Sequence, residues 1–524
     1  MPFVQNFPFF SIILSIACAV ICILLKQRPA KLLTFACLIT LTVFSAVLLA
    51  FTLRTGESFT YMLGYFPAPF GNELRAGAFE AFMALLFSSI TLLSVAGGLR
   101  DIFHDEPEKK INLFYFMVNM LTSAMLAIIY TNDIFTAYVF IEVSTIAACS
   151  VISAKPGGRT LAATMSYLIL SLIGSALILF SLAMFYGVTG HLLFSGLLEG
   201  VTALAATGQY TIPLLVLTGM MAVGLAIKSA LFPFHGWLPD AHASATTSAS
   251  AILSGLIIKC YPILLIRMIY CVFGLETMGK LYIPHIMIFF GVVGIVYGSW
   301  RAVRQHSIKR MLAYGSISNI GFIFVAIGLN TNAGMVAAGF HIAAHAVGKA
   351  MLFTAAGGLA AVSDHRKDFN SLRGAGRRDL FAGIAFVIGA LSMIGIPLFP
   401  GFISKLIITL AALETPFAVL VIPAVVVVST VLSGMYYIPA IICIFSKPRE
   451  PGEEFVLKSH IDLILAKFDS EEGASVPAVP EHVPLGMAIP YWAALGIFIA
   501  LTLFIGLFSR QILYAIELGL AAIS

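Results

Sequence analysis

Apolar runs of about 20 residues recur from one end of the chain to the other, the first from Phe7 to Leu25 and the last from near residue 488. Wound as a helix, a run of that length matches the roughly 30 Å hydrocarbon core of a bilayer. The repetition leaves room for one large membrane domain and for no soluble catalytic domain. Composition agrees: 60% of the 524 residues are hydrophobic and 10% are charged, against roughly 25% charged in ordinary soluble domains. The predicted fold class is an all-α polytopic membrane protein. Its longest polar interruption is Ser446 to Leu485. No Lys or Arg precedes the first run, so it lacks the basic leader of a cleavable signal peptide and reads as a retained first helix. The seven cysteines lie within apolar runs and form no C-x-x-C pair. That argues against a zinc ribbon or an iron-sulfur cluster and for small packed side chains. The net charge of +5 is not a nucleic-acid signal in such a chain.

Breaks between the runs place fourteen spans, beginning near residues 6, 32, 77, 112, 132, 161, 211, 244, 282, 308, 333, 380, 416 and 488. Lys and Arg then alternate from loop to loop. Twenty-one fall on one side, against Arg54, Arg75 and Lys280 on the other, with Arg510 after the last span. This imbalance assigns the basic side to the cytoplasm and puts both termini on the non-cytoplasmic side of a cell (inner) membrane. It also supports the count, because one missed span would scramble the alternation. Five basic residues are left inside the spans: Lys228, Lys259, Arg267, Lys349 and Lys405. Arg267, near the end of its span, is expected to snorkel to the interface; the four lysines have no such escape.

The spans holding Lys228 and Lys405 share a tripeptide, "LFP", at residues 231–233 and 398–400, an offset of 167. The fourth and ninth spans start 170 residues apart. The agreement suggests two units of five helices, spans 4 to 8 and 9 to 13, and an odd number per unit makes the second inverted relative to the first. Inverted repeats with discontinuous helices are a recurring transporter plan. The twelfth span, Leu380 to Leu413, has 34 residues, about 51 Å as one straight helix, so it must break, tilt or protrude. Pro397 and Pro400 each lack an amide donor and crowd the preceding turn, which makes "GIPLFPG" the natural break. Pro233 would do the same just after Lys228. Unwound backbone at membrane depth survives only where protein or water satisfies it, so internal water is expected beside both lysines.

Glu142 lies about ten residues from either end of its span, and Lys259 is equally central. His341, His345 and Lys349 are spaced i, i+4, i+8 and form one polar stripe on a helix otherwise lined by Ala, Gly and Phe. Left unpaired in lipid, Glu142, Lys228, Lys259, Lys349 and Lys405 would together cost about 12 to 18 kcal/mol, so the bundle must enclose them. Two readings follow. One is structural, with buried ion pairs or packing devices, and Lys349 serving only to support the histidines. The other is proton handling: burial favours the neutral form of an amine, a nearby carboxylate favours the charged form, and histidine bridges between such groups near neutral pH. His235, His242 and Asp240, close to the Pro233 break, are secondary candidates, with His242 read as a loop or interface residue. Glu80 is a poorer functional candidate than Glu142.

The segments "LAIKSALFPFHGWLPDAHASATTSASAILSGLIIK", "RQHSIKRMLAYGSISNIGF" and "GIPLFPGFISKL" resemble the antiporter-like membrane subunits of respiratory complex I, of Mrp-type sodium/proton antiporters and of related membrane hydrogenases. The likeness covers roughly residues 60 to 440. It implies a fourteen-helix fold with inverted five-helix repeats and proton transfer along a central hydrophilic axis. Glu142 would match the glutamate of the fifth helix, Lys228 the lysine of the broken seventh, and Lys259 the central lysine of the eighth. His341 and His345 would supply polar connectors, and Lys405 the terminal site of the broken twelfth. Lysine at that last position, in "PGFISK", looks closer to the Mrp D-type and hydrogenase-associated branches than to the branch that carries glutamate there.

The expected organisation is helices 1–3 over residues 1–111, a first unit over 112–270, a second, inverted unit over 271–445, a polar cytoplasmic loop over 446–487 and helix 14 over 488–524. The expected function is an ion-translocating subunit with no redox chemistry, cofactor, metal or catalytic site of its own. Its partners would be other membrane subunits of a complex I-like, hydrogenase-like or Mrp-like assembly, the lipid bilayer and protons, with sodium coupling left open, and no nucleic acid. Two rivals stand beside it: a metal- or haem-binding redox subunit using His341 and His345 as ligands, and an autonomous solute or cation transporter.

Overall fold

The computed structural model describes residues 3–66, 71–107, 110–208, 210–447 and 485–523. The polar stretch whose role the sequence leaves open falls mostly outside them. From the N-terminus run α1 (Phe7–Leu24), α2 (Gln27–Thr55), a hairpin of β1 (Phe59–Met62) and β2 (Glu73–Ala76), α3 (Ala78–Gly97) and the short α4 (Leu99–Asp105). Next come α5 (Ile111–Tyr130), α6 (Ile134–Ile152), α7 (Gly158–Thr189), α8 (Phe194–Thr207), α9 (Thr211–Lys228) and α10 (Trp237–Ser244). A continuous helical stretch, α11 (Thr247–Phe273), is followed by α12 (Ile283–Val303), α13 (Ile308–Gly328) and α14 (Asn332–Ala361). The chain ends with α15 (Leu380–Ile394), α16 (Pro400–Leu413), α17 (Val421–Phe445), α18 (Leu485–Leu507) and α19 (Ser509–Ala521).

Among the described residues thirteen helices are long and apolar enough to cross a membrane, and α15 and α16 form a further, split apolar pair. The chain is a multi-pass integral membrane protein. Burial sorts its helices into shells. The most apolar stretches of α11 and α13 are wholly buried and that of α14 is 94% buried, whereas α17 and α18 bury only 28%. The three buried helices are therefore the axis of the bundle, and the less buried ones turn Leu, Ile, Val and Phe outward, as lipid-facing helices do. Small residues let the axis close up. A β-carbon on Gly321 of α13 would lie 2.6 Å from the Gly291 carbonyl oxygen of α12, so backbone meets backbone there and no larger residue fits.

Two sequence expectations need correction, and two elements were not expected. Arg267 does not snorkel: it is fully buried. Its Nη1 donates to the carbonyls of Ile129 at 2.6 Å and Thr131 at 2.8 Å, at the C-terminal end of α5. Its Nε lies 3.1 Å from Glu80 Oε1 of α3, and Glu80 Oε2 accepts from the Gly77 amide at 3.0 Å. A helix end packed over the arginine thus supplies what the interface would have supplied. The last apolar stretch is two helices, α18 and α19, with Phe508 between them, not one. The hairpin, in register Phe59 to Ala76 through Met62 to Glu73, and the extra helix α8 escaped the reading of apolar runs, because neither is long enough to register as a span.

Removing one partner of a buried pair leaves the other charge unpaired, which costs about 3–5 kcal/mol. Arg267→Met is expected to lower the thermal midpoint of the purified protein well beyond the effect of Arg54→Met at an exposed helix end; equal midpoints would show that the pair does not hold α3, α5 and α11 together.

Candidate functional site

The first cluster is built by three helices around the C-terminal end of α9. Lys228 is the last residue of that helix and is almost fully buried. Its Nζ donates to Thr145 Oγ1 at 2.7 Å and lies 3.5 Å from Glu142 Oε1, both on α6. Glu142 and Thr145 are three residues apart, hence on one helical face, and Ser175 of α7 donates its hydroxyl to the same Glu142 oxygen. Glu142 keeps 26% of its side chain exposed while that of Lys228 keeps none. The pair thus has an inner, enclosed cation and an outer carboxylate that reaches the surface of the subunit. Beyond Lys228 the chain leaves the helix. Pro233 lies in the non-helical stretch before α10, and His235 sits against the rings of Phe232 and Tyr297 at 5.3 and 4.9 Å.

The second cluster lies on the buried axis. Residues Leu253–Ile257 of α11 are π-helical, and Lys259 just beyond donates its Nζ to the Ser254 carbonyl. The Ser254 hydroxyl in turn meets that of Ser316 on α13 at 2.7 Å. On α14 the stripe of His341, His345 and Lys349 faces inward, each residue at most 2% exposed. His341 Nδ1 meets Ser404 Oγ of α16 at 3.0 Å, and the rings of His341 and His345 are 5.9 Å apart. Lys349 donates to the Leu312 carbonyl at 2.8 Å and to the Tyr437 hydroxyl at 3.2 Å. His345 is within electrostatic reach of Lys259, Lys349 and His341, and neither of its ring nitrogens has a hydrogen-bond partner among the described residues.

The third cluster sits at the split between α15 and α16. Pro397 lies in the connection, and Pro400 is the first residue of α16, where a missing amide hydrogen costs nothing. Lys405 reaches back across the split and donates to the carbonyls of Ile394 at 2.8 Å and Met393 at 3.3 Å, and to Thr430 Oγ1 at 3.3 Å. It places a cation on the last carbonyls of α15, the negative end of that helix.

Of the secondary candidates, His242 is not a loop or interface residue. It is fully buried, stacked on Phe353 of α14 at 4.4 Å, with both ring nitrogens unpartnered among the described residues. The reason is that α10 tucks beneath the axis, bringing His242 within electrostatic reach of Lys259, Lys309 and Lys349. Asp240, four-tenths of a helical turn away from that face, points outward to an ion pair with Arg310 at 2.8 Å and stays outside the buried chain. Sequence reasoning missed Lys309. Counted with the loop cations, it is buried and donates to the Ala245 carbonyl at 2.9 Å. It also missed Thr145 and Ser175. Thr145 could have been found from its i+3 spacing to Glu142, whereas nothing in the sequence joins Ser175 to either residue. Among the described residues no group of three or more His, Cys, Asp or Glu side chains is placed to hold a metal.

A helical membrane bundle with lysines and imidazoles strung through its interior is the arrangement of an antiporter-like membrane subunit. The family model described as "NADH:quinone oxidoreductase/Mrp antiporter, TM" matches residues 131–433, and the chain belongs to that family. It is 32% identical over 396 residues to NADH-quinone oxidoreductase subunit N of Desulforudis audaxviator (strain MP104C), covering 75% of this chain and 76% of that one. Its fold matches a chain of the membrane-bound sulfane sulfur reductase, an archaeal respiratory membrane complex, with a TM-score of 0.82, 24% identity and coverage of 98% and 97%. It also matches a chain of the Mrp complex from Dietzia sp. DQ12-45-1b with a TM-score of 0.81, 23% identity and coverage of 99% and 97%.

Loss of the Lys405 amine would leave the Ile394 carbonyl without its charged donor, a cost of about 1–3 kcal/mol, or about 5- to 150-fold in a local opening equilibrium. Lys405→Met is therefore expected to speed amide hydrogen exchange at Gly395 and Ile396 by about tenfold or more. Unchanged exchange at those amides would remove Lys405 as the cap of α15.

Proposed function

We propose that this chain is a proton-translocating subunit of a multisubunit membrane assembly and carries out no redox chemistry itself. The observation that carries the reading is the enclosed series of charged and imidazole groups, from Glu142 and Lys228 through Lys259, His345, His341 and Lys349 to Lys405. Charges at membrane depth are costly and mark pathways or pairs, and among the described residues only Lys228 of the lysines in this series has a carboxylate beside it. In this reading the chain has two inverted five-helix units, spans 4 to 8 and 9 to 13, each with a broken helix that holds a lysine. The split α15 and α16 count as one discontinuous span, and both termini face away from the cytoplasm of a cell membrane.

The chemistry follows from the first cluster. A carboxylate beside an amine favours its protonated form and burial favours its neutral form, so approach of Glu142 loads Lys228 and withdrawal releases the proton toward Lys259. Unpartnered imidazole nitrogens at His345 and His242 suit a water-bridged path, since buried polar atoms as a rule find a partner in protein or ordered water. The work of moving a charge, about 2.3 kcal/mol per 100 mV, must come from a partner subunit's reaction or from an opposing ion gradient. The structural relatives named above are chains of such assemblies, which favours this reading over an autonomous transporter.

The test uses the intact assembly in inverted membrane vesicles with a pH-sensitive dye. Glu142→Gln keeps shape and removes charge; it is expected to abolish proton movement while the subunit still assembles. Lys259→Met should interrupt transfer between the two units with the same outcome. Normal pumping by either correctly assembled variant would refute the assignment of that residue, and normal pumping by both would refute the route.

A further inference from the structure

The ends of several membrane helices surround a cleft of about 340 Å³. The last turns of α3 and α14 and the first turns of α11, α15 and α18 line it, so it lies at the level where hydrocarbon gives way to lipid headgroups. Tyr491 anchors one wall. Gly358 of α14 leaves the space its hydroxyl fills, a β-carbon there falling 1.8 Å from that oxygen, and the hydroxyl donates to Asp379 Oδ2 at 2.8 Å. The adjacent Trp492 is thereby fixed at the mouth, its ring 6.4 Å from that of Phe381. Both rings are exposed, as is Leu380 beside them.

The polar groups of the cleft are unevenly used. Asp379 Oδ1 accepts the Ala382 amide at 3.0 Å, completing the N-terminal cap of α15. Asp101 accepts the Thr247 hydroxyl. Both carboxylates are thus engaged within the chain. The guanidiniums are not: Arg100 makes no hydrogen bond among the described residues, and Arg378 gives only one, from Nη2 to Ser363 Oγ at 2.8 Å. Each guanidinium carries five N–H donors in a planar fork suited to phosphate. The cleft therefore offers spare cationic donors together with an exposed aromatic and aliphatic strip, with tryptophan at the depth where it is favoured in membranes.

We propose that this cleft binds one membrane phospholipid, its phosphodiester on Arg100 and Arg378 and an acyl chain along Leu380, Phe381 and Trp492. The volume, at the small end of ligand pockets, takes the headgroup, and the chain lies on the outer surface.

Trp492 reports on the site. The chain has three tryptophans; Trp237 is buried, and Trp300, on the exposed side of α12, is removed as Trp300→Phe. The full chain, stripped of lipid in detergent, is titrated with phosphatidylglycerol brominated on its acyl chains while tryptophan emission is followed, and Trp492→Phe identifies the quenched fraction. Quenching is expected to saturate. A charge-assisted hydrogen bond is worth enough that Arg100→Gln should raise the half-saturating concentration by about tenfold, and Arg100→Gln with Arg378→Gln by more. Arg377→Gln, whose Nε serves the Phe445 carbonyl, should leave it unchanged. Arg100 makes no hydrogen bond among the described residues, so its single variant keeps the test valid if the double variant fails to fold. Brominated diacylglycerol, which lacks the phosphate, should bind at least tenfold more weakly, and millimolar inorganic phosphate should not displace the lipid. The proposal is overturned by quenching that never saturates or is the same in the arginine variants, which marks bulk lipid. It is equally overturned by diacylglycerol binding as well as phosphatidylglycerol, by displacement with inorganic phosphate, or by no quenching at all.

Discussion

Backbone carbonyl oxygens do most of the solvating of buried cations in this protein. Lys259 leans on Ser254, Lys349 on Leu312, Lys405 on Met393 and Ile394, Lys309 on Ala245, and Arg267 on Ile129 and Thr131. A carbonyl dipole lowers the cost of an ammonium ion without neutralising it, so a proton can come and go without leaving a stranded carboxylate behind. An ion pair would do the opposite, since losing charge on one member leaves the other buried and unpaired. Lys228, held by Thr145 and Glu142, and Arg267, beside the buried Glu80, are the exceptions, and the carboxylate that Lys228 meets is the one that reaches the subunit surface.

This form of solvation explains why the interior helices are irregular. An unbroken helix spends its carbonyls on its own amides, and spare ones occur only at ends, breaks and bulges. Lys349 shares the Leu312 carbonyl inside α13, but the other cations of that set sit where such places have been made: at the end of α5, after α10, in the π-helical part of α11 and at the split between α15 and α16. Irregular backbone at membrane depth is tolerated only when protein or water covers it, and here the amines themselves do part of the covering. Break and charge are then one device, each removing the cost of the other.

That coupling also decides what could be read from the chain. Apolar runs mark helix starts within five residues of those observed, since a span's length depends on the bilayer and not on its neighbours. Prolines beside Lys228 and Lys405 pointed to the places where the helices stop, and the i, i+4, i+8 spacing of His341, His345 and Lys349 put them on one face. Arg267, His242 and Lys309 could not be read correctly, because each lies near a span end, where water or another helix end can equally take the charge. Only the packing of α5 over Arg267, and of α10 under the axis, decides between those. The carbonyl partners are invisible in principle, as every residue carries one.

The π-helical segment Leu253–Ile257 makes α11 a helix with one residue too many for its length. Each residue turns a helix by about 100°, so the segment acts as a phase shift set between two halves that each keep their own register. The half before it is clocked to α3 and α14, and the half carrying Lys259 is clocked separately. Evolution, or a protein engineer, can then re-aim the lysine by moving the extra residue along the helix, with no change in composition and little in the packing at either end.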